Sequence, residues 1–94
     1  MRLEDVWAPL SEVEFQRELR EMVADGAPRV FALCEELGER DDGYVRYWGM
    51  AFDDCAEIVA ASGNSRAAYR SADSALAKLS RRRKLHLIWA DHAA

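Results

Sequence analysis

The residue types in this chain most suggestive of chemistry are two histidines, two cysteines and seventeen acidic residues. Cys34 and His86 are the one pair of types that offers a nucleophile and a general base, because a thiol attacks as its thiolate and an imidazole can take the proton. Neither lies in a recognisable nucleophile turn, and Cys34 shares a strand face with Val30 and Ala32, so an inert packed thiol is expected. Asp53-Asp54 together with Glu57, or with Glu35 and Glu36, is the densest carboxylate grouping, a type that holds divalent cations or moves protons. Adjacent strand residues point to opposite faces, so Asp53 and Asp54 enter one site only where the backbone bends. A solvated turn is the expectation. His92 falls in a polar tail and is expected in solvent. The cysteines and histidines lack zinc-ligand spacing. No catalytic residue, metal or cofactor is assigned.

The basic run Arg81-Arg82-Arg83-Lys84 would suit an acidic partner or a phosphate, since arginine grips oxyanions with two parallel donors. A solvated helix end is the plainer expectation. With seventeen acids against thirteen lysines and arginines the net charge is −4. Nucleic acid is therefore disfavoured as a partner, because that affinity rests on neutralising phosphates. A glycine-rich phosphate loop, a GxSxG elbow and an HExxH pair are all missing.

The segment Asp42 to Asp54 is richer in information about binding than about catalysis. On an extended strand Val45, Tyr47, Gly49 and Ala51 point one way, and Tyr44, Arg46, Trp48, Met50 and Phe52 the other. Gly49 and Ala51 admit a close neighbour, so their side is assigned to the helices. The opposite side then presents Tyr44, Arg46, Trp48, Met50 and Phe52, residue types enriched at interface hot spots. These five are the candidate binding surface. The competing expectation is that they cover one another or lie beneath an N-terminal arm carrying Trp7.

The elements that must position these residues follow from periodicity and caps. Ser11 with Glu14 forms a capping-box signature, and Phe15, Leu19, Met22 and Val23 make one apolar helical stripe, stopped at Asp25-Gly26-Ala27-Pro28. Period-two alternation predicts strands over 29–36, 44–52 and 55–61, with a short edge strand over 66–70. Ser71 caps a second helix with the stripe Ala72, Ala75, Leu76 and Leu79, and a last strand spans 84–89 with Leu85, Leu87 and Trp89 opposite His86 and Ile88. The expected fold is a single α+β domain over 1–94: a mainly antiparallel sheet of four to five strands with two helices packed on one face. Residues 1–9 form an arm and 91–94 a loose tail.

At 94 residues and half apolar composition there is material for one core. No apolar run approaches the ~20 residues that span a bilayer, and the N-terminus has no secretory pattern. A cytoplasmic protein with two unpaired thiols is expected. The leading functional expectation is a non-catalytic protein-interaction or regulatory module, as a homodimer or with another protein. A small-molecule-binding domain or minor enzyme with a pocket between sheet and helices is the alternative, and a nucleic-acid accessory protein the third.

Overall fold

The computed structural model describes residues 9–91. The arm with Trp7 and the tail with His92 lie outside them. Helix α1 (Glu12–Gly26) leads into β1 (Arg29–Leu37), β2 (Asp42–Ala51), β3 (Ala56–Ala60) and β4 (Arg66–Tyr69), followed by helix α2 (Ala72–Leu79) and β5 (Leu85–Trp89). The five strands form one sheet in the order β4-β3-β2-β1-β5, every neighbour antiparallel. Three successive hairpins build β1 to β4 outward. α2 then carries the chain from the β4 edge back to the opposite edge, where β5 pairs with β1. No helix among the described residues is long and apolar enough to cross a membrane.

One face of the sheet makes the core. Phe31 and Leu33 on β1 are fully buried, and Ala56, Ile58, Leu85 and the α2 residues Ala72 and Ala75 close around them. Small residues on α2 let this short helix sit close to the strands. Ser71 accepts a hydrogen bond from the Ser74 amide at 3.0 Å and so caps the helix where the chain leaves β4. Trp89 tilts against Phe31 with ring centroids 5.3 Å apart and carries the Arg29 guanidinium 3.9 Å above its own ring.

Of the two helices expected on that face, α2 packs there and α1 does not. α1 buries none of its residues: Val13, Phe15, Met22 and Val23 are each more than half exposed. The helix itself is as read. Ser11 accepts from the Glu14 amide at 3.1 Å while the Glu14 carboxylate accepts from the Ser11 amide at 3.0 Å. Its exit is extended at Ala27 (φ −65°, ψ 132°), the conformation that the following Pro28 imposes. That exit sends α1 away from the strands, and the molecule is 68 Å long against 25 Å in its other two dimensions.

Candidate functional site

Among the described residues no helix lies on the second face of the sheet. Cross-strand pairing lays Arg66, Val59, Trp48, Ala32 and Ile88 in one line across all five strands. Ala32 is buried at 6 % exposure between its neighbours, whereas Trp48 and Ile88 remain 45 % and 53 % exposed. A second line beside it pairs Met50 with Val30, again about half exposed. Together Val30, Trp48, Met50, Val59 and Arg66 line an open groove of about 380 Å³ with Glu57 at its margin. Covering a half-exposed large apolar side chain is worth on the order of 1 kcal/mol, so this patch holds several kcal/mol for whatever seats on it.

Trp48 and Met50 therefore stand where the alternation of β2 puts them. Tyr44 and Arg46 do not. Leu33 pairs with Tyr47 and the next residue, Cys34, with Val45, so Arg46 is an extra residue in β2 and forms a bulge. Beyond a bulge the alternation inverts. Val45 moves to the open face beside Cys34, and Tyr44 pairs with Glu35 on the face that α2 covers. Phe52 lies past the end of β2, its amide donating to the Cys55 carbonyl at 2.8 Å to close the turn that holds Asp53 and Asp54. Of the five residues expected on one surface, the structure joins Trp48 and Met50. It adds Val30, Val59 and Ile88, whose alternation in β1, β3 and β5 carries the same signal.

Tyr44 and Arg46 belong to an ion-pair hub. Glu35 Oε1 accepts from Arg46 Nη2 at 2.6 Å, from the Tyr44 hydroxyl at 3.0 Å and from Arg83 Nη1 at 3.1 Å. Those donors, Arg46 first, hold the Glu35 carboxyl below its usual range. Its neighbour Glu36, on the open side, accepts from Lys84 Nζ at 3.0 Å and from the Arg40 amide at 2.9 Å, with His86 Nε2 at 2.7 Å. The His86 contact and then Lys84 pull the Glu36 carboxyl down to about 2. Consecutive acids of β1 thus seize consecutive cations of the basic run, one on each face, and fasten the α2–β5 loop to the sheet.

The candidate chemistry resolves in the same terms. Cys34 and His86 are direct cross-strand partners, yet no hydrogen bond joins thiol to imidazole and the ring is engaged by Glu36. Cys34 is half-buried on the open face, not packed in the core as expected. Cys34 and Cys55 are both free; Cys34 lies on β1 and Cys55 just before β3, with β2 between those strands. Burial, reinforced by Asp54, raises the Cys55 thiol above its ordinary pKa. Asp53 and Asp54 are exposed at the β2–β3 turn, and no group of three or more metal-ligating side chains gathers among the described residues. Between α2 and the sheet the space is filled by Phe31, Leu33 and their neighbours.

Comparison of the chain with protein-family models, with curated proteins and with solved structures returned no match.

Proposed function

We propose that this chain is a non-catalytic protein-interaction module whose contact surface is the uncovered sheet face centred on Trp48 and Met50. The observation that carries this reading is the unbroken apolar line Val59–Trp48–Ala32–Ile88 across a face that neither α1 nor α2 covers. A flat patch with a tryptophan at its centre and charged groups at its edge has the anatomy of a protein contact, where a few aromatic anchors supply most of the affinity. The free thiols fit a reducing cytoplasmic setting. Glu35 and Glu36 engage Arg83 and Lys84, two of the four cations of the basic run, which reduces what that run offers a nucleic-acid backbone.

A photoreactive benzophenone side chain placed at Met50, expressed in cells of the native organism, tests the reading. A discrete protein adduct is expected, lost when Trp48→Ala is added. Labelling no stronger than from a probe at Lys78, on the α2 side, would overturn it.

A further inference from the structure

We infer that the occupant of the open face is helix α1 of a second copy, the two chains exchanging helices about a two-fold axis. This rests on the reading of that face as a contact surface. Among the described residues, nothing covers the apolar stripe of α1 and nothing covers the apolar line on the open sheet face. A contact between two different surfaces closes at two copies when it is made reciprocally about a two-fold axis, and all four surfaces are then satisfied.

The dimensions agree. From Phe15 to Val23 the stripe rises about 12 Å, and the line from Val59 to Ile88 crosses three strand spacings, about 14 Å. Two docked helices, each ~22 Å long and ~10 Å wide, bury on the order of 1,000 Å² counted on both partners, the size at which a specific interface begins. One cation on the sheet is placed to meet acids of α1, although Glu57 shares the groove with it. Glu14, Glu18, Glu21 and Asp25 recur at i, i+4, i+7 and i+11 and line the side of α1 next to its apolar stripe. Arg66 ends the apolar line on the sheet and makes no ion pair among the described residues.

Helix energetics point the same way. Fifteen residues with no buried side chain and no cation in the last turn form a helix of marginal stability in water, capping box notwithstanding. Its amphipathic stripe becomes stabilising only when something covers it. The extended Ala27–Pro28 exit carries α1 off the end of its own sheet, which leaves that stripe accessible to a second chain.

Sedimentation velocity of the full chain, of Met22→Asp, of Trp48→Asp and of the two variants mixed in equal amounts tests the exchange. Both substitutions are at exposed positions, and a far-UV spectrum of each variant checks that the sheet persists. The wild type is expected to be a dimer and each variant a monomer, its association weakened at least thirty-fold. In the mixture the intact helix of the Trp48→Asp chain finds the intact sheet of the Met22→Asp chain, so dimer reappears with weaker affinity than wild type. A dimer untouched by Met22→Asp, one untouched by Trp48→Asp, or a mixture with no more dimer than either variant alone would each overturn the exchange. A wild type that stays monomeric at every concentration would overturn it too. The Met50 probe then separates the cases: a Trp48-dependent adduct with a different protein leaves the contact-surface reading standing, and no adduct removes both.

Discussion

The ring of Phe31 stands in the space that a side chain on Gly49 would fill. The two are cross-strand partners on the covered face, and a Cβ built on Gly49 would lie 2.6 and 2.7 Å from Cε1 and Cε2 of the ring. The glycine thus seats the largest buried side chain of the core, and its strand neighbours Trp48 and Met50 are turned to the other face as a consequence of the pleat. Core and open face are two sides of one residue triplet.

Gly49→Ala must push the Phe31 ring out of its place, and overpacking of this kind costs about 1–3 kcal/mol. Urea unfolding read by circular dichroism should show a lowered midpoint of that size. A loss below about 0.5 kcal/mol, the range of an ordinary surface substitution, would mean that the ring is not constrained there.

Acid should weaken the fold through Glu36. Its carboxyl is depressed from 4.5 to about 2, so the stabilisation it supplies is complete above pH 4.5 and is lost as the pH falls from there through about 2. Glu35 is depressed as well and adds to the same trend. Unfolding midpoints measured from pH 6 down to pH 2 should fall in this window, and Glu36→Gln should flatten the fall. An equally steep fall in the variant would place the acid sensitivity elsewhere.

Arg46→Met separates the ion-pair hub from the contact surface. Because the bulge turns Arg46 toward Glu35, the substitution should lower the urea midpoint at neutral pH while leaving association of the chain as in the wild type. Association lost together with Trp48→Ala-like severity would return Arg46 to the surface that simple alternation suggests for it.

Helix content should rise with protein concentration. α1 gains stability only when its stripe is covered, so the far-UV signal at 222 nm should strengthen across the concentrations at which chains associate. In Met22→Asp it should stay constant over the same range. A concentration-independent signal in the wild type would show that helix formation and association are not coupled.

Much of this architecture is legible in the residues themselves. The Ser11–Glu14 box, the alternation of β1 and β5 and the Ser71 cap state their elements locally, and the pair Gly49 and Ala51 states which face of β2 receives α2. The bulge at Arg46 is different. No glycine or proline marks it, and it arises from how β2 registers against β1, a relation between two segments that neither contains. It moved Tyr44 and Arg46 off the surface on which plain alternation sets them. The position of α1 was hidden for a second reason. A stripe of Phe15, Leu19, Met22 and Val23 reads the same whether it meets its own sheet or another chain, because periodicity reports that a face is apolar and not what covers it.

The most direct measurement of what lies on the open face uses the Met50 benzophenone chain purified as an equal mixture of ordinary and nitrogen-15-labelled protein. After irradiation, mass spectrometry identifies the peptide joined to position 50 and, from its isotope, the copy it came from. Adducts between copies are expected, with the captured peptide falling within Glu12–Gly26 of the other chain. Adducts confined to the same copy, or between copies but only to the strands, would contradict the helix exchange.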